Sequence, residues 1–292
     1  MTLASLTDVL GPARAAGRGV GAFNVIQIEH AQALAGAAGD AGLPVVLQIS
    51  QNAVRYHGAL APILAATRAI AEAAPTPCVL HLDHVTDADL VRQGLALGVT
   101  SVMYDGSALP YEQNVRRTAE LTRECHAAGV SLEAELGEVG GKDGTHAPGV
   151  RTDPEQAARF VAATGVDALA VAVGSEHAMT QRTARLDLDL IAALADAVPV
   201  PLVLHGSSGV PDETLVAAVA AGMTKVNIAT HLNTVFTAAL REHLAAHPEQ
   251  VDTRRYLAPA RAAVRAETAR LLRLLAGHPE PTRSGPSAVP RR

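Results

Sequence analysis

The chain has 292 residues, of which 48% are apolar and 18% are charged, and its formal net charge is −5. This composition supports a large buried core and excludes a disordered chain. Basic runs interleaved with aromatic residues are absent, so nucleic acid is not an expected partner. The length fits two small domains or one α/β barrel.

The first residues lack a basic start followed by an apolar core, so a signal peptide is not expected. Uncharged apolar stretches stay shorter than the roughly 18 residues that a membrane span needs, so no membrane partner is expected. The two cysteines, Cys78 and Cys125, form neither a CxxC motif nor a disulfide framework. We therefore expect the protein in the cytoplasm.

Short β-branched segments alternate along the chain with alanine-rich segments. The β-branched segments are apolar almost without interruption, which is typical of parallel strands buried on both faces. Eight strands are predicted in this way: Gly19–Val25, Pro44–Ile49, Cys78–Leu82, Ser101–Tyr104, Ser131–Glu135, Ala168–Val173, Pro201–Leu204 and Lys225–Ile228.

The alanine-rich segments between them predict helices, several of which end at a glycine, as helices commonly do. The predicted helices are Glu29–Ala41, Ala59–Ala73, Asp87–Leu97, Tyr111–Ala128, Pro154–Ala163 and Asp212–Ala221. Eight strand–helix units favour an α/β fold of the closed (β/α)8 TIM barrel type, with an open doubly wound sheet as the alternative.

Three more helices are predicted outside the eight units: one in the first 16 residues, and two near Leu232–Ala246 and Arg254–Ala276. We expect residues 1–277 to form a single barrel domain. Residues 278–292 are rich in Pro, Ser and Arg and predict a disordered tail.

Catalytic groups of such barrels lie at the C-terminal ends of the strands. His84, His177 and His205 follow predicted strands three, six and seven. Three imidazoles with an open fourth position are typical of a catalytic zinc site. The alternative for each histidine alone is a hydrogen-bonded structural role.

Several acidic residues share these strand ends. Asp83 is interpreted as a proton carrier, with the orientation of a histidine as the alternative. Asp105 and Glu135 are candidate outer ligands or buffers of a metal's charge. Glu133 is assigned to the opposite face of its strand from Glu135, with a structural role and an arginine as its partner.

The turns after strands seven and eight are Gly206–Gly209 and Asn227–Thr230. Barrels build phosphate sites at this place from backbone N–H groups and small hydroxyls, and an ordinary turn is the alternative. The glycine-rich segment Gly137–Thr152 predicts a mobile loop that closes over the barrel mouth, or else a plain surface loop.

Seven motifs, in order along residues Val20 to Ala263, resemble those of a known protein family. They are AFNV at 22–25, HLDH at 81–84, SVMYD at 101–105, EAELG at 133–137, AVAVG at 170–174, LHGSSG at 204–209 and KVNIAT at 225–230. The chain resembles the class II, metal-dependent ketose-bisphosphate aldolases, in the branch of tagatose- and fructose-bisphosphate aldolases.

The resemblance implies that His84, His177 and His205 hold one Zn²⁺, which stabilises the enediolate of dihydroxyacetone phosphate as a Lewis acid. Glu135 and Asp105 are similar to the family's alternative metal ligands. It further implies that Asp83 exchanges a proton with the aldehyde oxygen that becomes the C4 hydroxyl.

The resemblance also implies a set of substrate-binding residues. Phosphate contacts and a nearby monovalent cation, Na⁺ or K⁺, are expected at Gly206, Ser207, Ser208, Asn227, Ala229 and Thr230. Asn24 and Ser50 match family positions close to the substrate. Arg254 matches an arginine that reaches a neighbouring subunit's site and binds a second phosphate, which implies a homodimer or homotetramer; a solvated helix charge is the alternative.

Three positions depart from the family pattern. Ala178 stands where the family has glycine, and Thr253 stands where it commonly has proline before the arginine. The loop at Lys142–Gly144 lacks the family's glutamate, so Asp143 is the remaining candidate for moving the carbon-bound proton. These departures indicate a divergent substrate or weakened activity.

A lysine imine is not expected, because Lys142 lies in the loop and Lys225 begins a strand, neither in a dry pocket. The leading prediction is reversible cleavage of a ketose 1,6-bisphosphate to dihydroxyacetone phosphate and glyceraldehyde 3-phosphate. The alternatives are a class II aldolase with another aldehyde, such as a deoxy-sugar or sugar-acid phosphate, and a non-catalytic sugar-phosphate-binding barrel. Cobalt, manganese or iron in place of zinc stays open.

Overall fold

The computed structural model describes residues 2–137, 151–176 and 179–278. Eight parallel strands close into a barrel in chain order, with the last strand paired to the first. They are β1 Val20–Asn24, β2 Val45–Ser50, β3 Cys78–Val85, β4 Ser101–Tyr104, β5 Ser131–Leu136, β6 Ala168–Val171, β7 Leu202–Leu204 and β8 Met223–Ile228. The predicted TIM barrel is confirmed, and the open sheet is excluded.

Helices alternate with the strands on the outside of the barrel, as the alanine-rich segments predict. They are α1 Leu6–Ala15, α2 Ile28–Ala41, α3 Gln51–His57, α4 Leu60–Glu72, α5 Ala88–Leu97, α6 Tyr111–Ala127, α7 Pro154–Thr164, α8 Leu188–Ala197, α9 Asp212–Ala220, α10 Thr230–Ala246 and α11 Thr253–Leu275. The sequence analysis did not predict α3 and α8. In the described ranges, no helix has both the length and the apolar character to cross a membrane.

The first helix closes the N-terminal end of the barrel. Ser5 and Asp8 form a reciprocal capping box that starts α1. Leu6 and Leu10 are fully buried and form a cluster with inward-facing residues near the strand starts, such as Val46 and Val203. This packing leaves the C-terminal end of the strands as the open mouth of the barrel.

Helix α11 packs against both α2 and α10. Glu267 of α11 joins α10 and α11 to the strand ends: it accepts hydrogen bonds from His231 of α10 at 2.7 Å and from Arg270 at 2.7 Å. Burial opposes ionisation of Glu267, but these two hydrogen bonds outweigh it and lower its pKa to about 2. Arg270 also pairs with Asp212 of α9, which in turn pairs with Arg182.

A carboxyl group whose folded-state pKa is lowered stabilises the fold above its ordinary pKa of 4.5 and loses that contribution as the pH falls toward 2. We expect Glu267→Gln to lower the free energy of unfolding at pH 7 by about 1–3 kcal/mol. The difference in the free energy of unfolding between this variant and the wild type should become smaller as the pH falls from 4.5 to 2. Urea denaturation across this range checks the prediction.

Glu155→Gln is the matched control, because Glu155 meets Arg159 at 3.5 Å with both side chains largely exposed. It should leave stability unchanged. A Glu267→Gln deficit that stays constant down to pH 3 would contradict the role assigned to the ionised carboxylate.

Candidate metal centre

Three predicted site residues converge at the barrel mouth. His84 lies near the end of β3, Glu135 near the end of β5, and His205 directly after β7. One ligand atom from each residue lies within 4.8 Å of the others, and the two imidazole rings are 4.5 Å apart in an edge-to-face arrangement. Two imidazoles and one carboxylate are a donor set suited to a divalent cation.

The backbone of β3 is distorted at the first of these ligands. His84 has a φ of 48°, and it is the one non-glycine residue with positive φ in the described part of the chain. The register between β3 and β4 also shifts between Leu82 and Val85. Strained backbone of this kind is concentrated at functional sites. The bend explains how neighbours in sequence, Asp83 and His84, both belong to the mouth.

Asp105 orients the ring of His84. Its Oδ2 lies 3.2 Å from His84 Nδ1, while its Oδ1 accepts hydrogen bonds from the amide and hydroxyl of Ser107. A carboxylate on one ring nitrogen is the usual support for a histidine ligand, so the expected ligand atom of His84 is Nε2. Asp105 itself lies outside the three-residue group.

His205 is held at both ring nitrogens by carboxylates of β5. Its Nδ1 lies 2.9 Å from Glu135 and its Nε2 lies 3.0 Å from Glu133, and all three side chains are fully buried. Burial opposes protonation of His205, but the hydrogen bonds to Glu133 and Glu135 outweigh it and raise its pKa to about 9.

The assignment of Glu133 to the face opposite Glu135 is wrong. Residues two positions apart on a strand point to the same side, and both carboxylates reach His205 inside the barrel. The partners of Glu133 are His205 and Lys225, not an arginine. Burial disfavours the charged form of Glu133, but Lys225, the hydrogen bond to His205 and the charges of His81 and His205 together outweigh burial and hold its pKa well below the usual range.

The expectation that Lys225 does not lie in a dry environment is also wrong. Strand β8 begins at Met223, so Lys225 is an interior strand residue, and its side chain is fully buried. Its Nζ donates to Glu133 at 2.8 Å. The amine that would have to react to form an imine is therefore held in an ion pair with Glu133.

Asp83 is buried beside these groups. Its Oδ1 lies 4.0 Å from His81 Nε2 and has no hydrogen-bond partner among the described residues. Burial raises the pKa of Asp83, but the positive charges of His84, His81 and Lys225 together outweigh burial and leave it below the ordinary value. The side chain is therefore a carboxylate with an unused acceptor.

Amide side chains from β8, β1 and β2 line the opposite part of the mouth. Gln48 donates to Asn24 at 3.2 Å, while Gln48 Oε1 and both polar atoms of Asn227 are buried without partners in the described ranges. Buried amides left unpaired point to a ligand or water that satisfies them. Sequence analysis missed Gln48, although a glutamine inside the apolar strand Val45–Ser50 is a usable signal.

The two predicted phosphate turns meet. Ser208 Oγ accepts hydrogen bonds from the amides of Ala229 and His231 at 3.2 Å, which joins the turn after β7 to the start of α10 at Thr230. Ser207 is buried and donates to the carbonyl of Leu204. Helix N-termini and glycine turns present backbone N–H groups to anions, so the pairing suits a phosphate.

Glycine is required in this turn. Gly206 has a φ of 68°, and a Cβ there would lie 2.6 Å from the backbone of Glu176; at Gly209 a Cβ would lie 2.5 Å from the side chain of Met179. The segment after β6 therefore packs directly on the turn after β7.

Other predicted residues lie apart or outside the described ranges. Ser50 caps α3 by accepting from Ala53, and its strand position pairs with Asp83. Arg254 lies in the first turn of α11, with its side chain 88% exposed and paired with Asp252 at 2.9 Å. Outside the described residues are His177, Ala178, Asp143 with the rest of loop 138–150, and the predicted tail from 279 onward.

Comparisons with known proteins show the family of the chain. The family model described as fructose-bisphosphate aldolase class-II matches residues 4–278. A probable fructose-bisphosphate aldolase of Bacillus subtilis is 38% identical over 269 residues, covering 91% of this chain and 94% of the relative. A fructose-bisphosphate aldolase of Giardia intestinalis is 37% identical over 290 residues, covering 90% of each chain.

Among solved structures, the YdjI aldolase of Escherichia coli K12 has a TM-score of 0.83 at 30% identity, covering 94% of this chain and 97% of that one. The barrel, the three side chains that can bind a metal, and the sequence together define a metal-dependent lyase. The chain belongs to the class II fructose-bisphosphate aldolase family. The family implies a divalent metal and a sugar-phosphate substrate, and His84, Glu135 and His205 can hold the metal.

We expect His84→Ala to weaken Zn²⁺ binding by more than about 100-fold, because loss of a ligand costs more than the 10- to 100-fold typical of its supporting residues. Competition with a chromophoric chelator measures this. His126→Ala is the control, since His126 pairs with Asp167 in an exposed position away from the mouth. Unchanged affinity in His84→Ala would contradict the assignment.

Gly206→Ala should destabilise the fold by about 1–3 kcal/mol, because alanine there is both strained and in contact with backbone. Gly11→Ala is the matched control: Gly11 lies in α1 with open space around its Cα, so alanine should stabilise by about 1 kcal/mol. Thermal unfolding distinguishes the two signs. Equal effects would contradict the packing described for the turn.

Proposed function

We propose that the protein reversibly cleaves a ketose 1,6-bisphosphate, of the fructose or tagatose type, into dihydroxyacetone phosphate and glyceraldehyde 3-phosphate. One observation carries the proposal: His84, Glu135 and His205 converge beside a glycine turn joined to a helix N-terminus. Side chains that can bind a metal and a turn that can bind an anion lie together at the barrel mouth. This combination suits a substrate that carries a carbonyl next to a phosphate ester.

The proposed metal is one Zn²⁺, held by His84 and His205 together with His177, with Glu135 and Asp105 as alternative donors. When bound, the cation supplies a Lewis acid that polarises the carbonyl so that the neighbouring carbon–carbon bond can break. The imidazole and carboxylate donors at the barrel mouth support this choice of ion.

In this proposal, Asp83 accepts the proton of the C4 hydroxyl as the bond between C3 and C4 breaks. Its lowered pKa keeps it ionised, and its buried Oδ1 has no partner among described residues, so an acceptor is available for that hydroxyl. In the reverse direction Asp83 returns the proton to the aldehyde oxygen. Asp143 is the proposed group that moves the proton at C3.

The remaining groups bind and orient the substrate. Gly206, Ser207, Ser208, Asn227, Ala229 and Thr230 are the proposed contacts of the phosphate on dihydroxyacetone phosphate, with Na⁺ or K⁺ beside them. Gln48 Oε1 and the side-chain amide of Asn227, which lack partners among the described residues, suit the hydroxyl and carbonyl groups between the phosphates, together with Asn24 and Ser50.

A homodimer or homotetramer is part of the same proposal, because Arg254 would serve a neighbouring subunit's site. The exposure of its side chain at the start of α11 supports this. A cytoplasmic location fits the predicted phosphorylated substrate and remains part of the proposal.

The departures at Ala178, Thr253 and Lys142–Gly144 favour one alternative: the same dihydroxyacetone phosphate half with a different aldehyde, such as a deoxy-sugar or sugar-acid phosphate. The two candidates share the metal centre and differ at the second phosphate.

The test mixes zinc-loaded protein with fructose and tagatose 1,6-bisphosphates and measures triose phosphate release. A parallel sample holds dihydroxyacetone phosphate in deuterated water, where NMR follows exchange at C3. Release and exchange together support the leading proposal, and exchange without release supports the other aldehyde. Neither signal, in zinc-loaded protein, would contradict both aldolase proposals and favour a sugar-phosphate-binding barrel.

Arg254→Ala separates the two candidates further. Loss of a charged contact to the second phosphate should raise KM for the bisphosphate by about 10- to 100-fold, while exchange at C3 of dihydroxyacetone phosphate stays unchanged. Arg255→Ala is the control, as an exposed arginine at the adjacent position. An unchanged KM for the bisphosphate in Arg254→Ala would contradict the role of Arg254.

A further inference from the structure

A continuous chain of polar contacts runs through the barrel interior and ends at the metal centre. Ser101 Oγ lies 2.8 Å from His81 Nδ1, and His81 Nε2 lies 3.5 Å from Lys225 Nζ. Lys225 then donates to Glu133 at 2.8 Å, and Glu133 contacts His205 at 3.0 Å. All five side chains are essentially inaccessible to solvent.

Glu133 uses both carboxylate oxygens in this chain. Its Oε1 faces His205 Nε2, and its Oε2 accepts from Lys225. Lys225 of β8 therefore holds Oε2 in place, and Oε1 in turn holds His205, which follows β7. The carboxylate cannot turn without breaking one of these two contacts.

Stability alone is a weak reason for this pair. Burying a lysine and a glutamate removes both charges from water, and an aliphatic pair of similar volume is often at least as stable. Barrel interiors are usually filled by such branched aliphatic layers. The ion pair lies next to His205, a candidate metal ligand, and this placement suggests a role at the metal centre.

The pair also lies too deep to contact substrate. Lys225 precedes Asn227 by two residues on β8, so it occupies the interior layer below that amide, and it has no exposed surface. Its hydrogen-bonded route to the three-residue group runs through Glu133 to His205. With Nε2 tied to Glu133, the other nitrogen of His205 faces Glu135, which belongs to the three-residue group.

We propose that Lys225 and Glu133 are a positioning pair that fixes the ring of His205, with Nε2–H donating to Glu133 and Nδ1 directed at the metal, and so sets the metal affinity of the centre. The inference rests on the proposed metal-dependent function and deepens it. Lys225 acts by neutralising and orienting Glu133, whose buried Oε2 accepts from the lysine while Oε1 faces His205.

The first test reads the ring of His205 in the wild-type protein. Nitrogen-15 NMR of the histidine rings in zinc-loaded wild type should show His205 protonated at Nε2 and bound through Nδ1, with Glu133→Gln used to assign the signal. Zinc binding through Nε2 of His205 would overturn the proposal. Wild-type protein that binds no zinc at all would instead overturn the proposed metal-dependent function along with it.

The second test measures zinc affinity by chelator competition, without reference to turnover. Lys225→Met should lower the affinity by about 10- to 100-fold, the range typical of residues that support a ligand. The double variant Lys225→Met/Glu133→Gln should recover most of it, because the glutamine oxygen still accepts from His205 and no unpaired charge remains.

Ser101→Ala is the matched control. It removes a buried hydrogen bond at the far end of the same chain but leaves Glu133 and Lys225 in place, so zinc affinity should stay at the wild-type value. Unchanged affinity in Lys225→Met, or equal losses in Lys225→Met and Ser101→Ala, would overturn the proposal, since either result means a purely structural role.

Discussion

Two carboxylates of the same strand contact the imidazole of His205, one at each ring nitrogen. Glu133 and Glu135 alternate with Ala134 on β5, so both face inward, one below the ring and one beside it at the mouth. Because the ring cannot rotate without breaking one of these contacts, the nitrogen toward Glu135 and His84 has a fixed position. The place of the metal centre follows from that constraint.

The two ends of the barrel have different tasks. At the N-terminal end, α1 fills the opening with leucine side chains and stabilises the fold. At the C-terminal end, His84 has a left-handed backbone, and Asp83 Oδ1, Gln48 Oε1 and the amide of Asn227 are buried without partners among the described residues. Such features cost stability, and proteins retain them where a ligand satisfies them. The contrast locates function at one end of the molecule.

The alternation of apolar strands and alanine-rich helices was enough to predict the barrel, because strand number and buried character are local properties. The short helix α3 was missed since it begins at Gln51, directly after the last residue of β2, without an intervening turn. Helix α8 was missed although Asp187 caps it and Asp189 lies in its first turn, both of which are signals of a helix start.

The site was predicted less completely than the fold. His84, His205 and Glu135 could be identified because each stands at a strand end. The contacts of Lys225 and Gln48 depend on barrel closure and strand register, which bring together residues up to 144 positions apart in the chain. Glu133 was misassigned through an error in strand parity. His177 and Asp143 lie outside the described residues, so their roles stay predictions.

The most direct test of this account is anomalous X-ray diffraction at the zinc absorption edge, from crystals grown with Zn²⁺. The account predicts one strong peak at the barrel mouth, within bonding distance of His84 Nε2 and His205 Nδ1. A zinc peak elsewhere on the molecule, or a mouth that stays empty at saturating Zn²⁺, would contradict it.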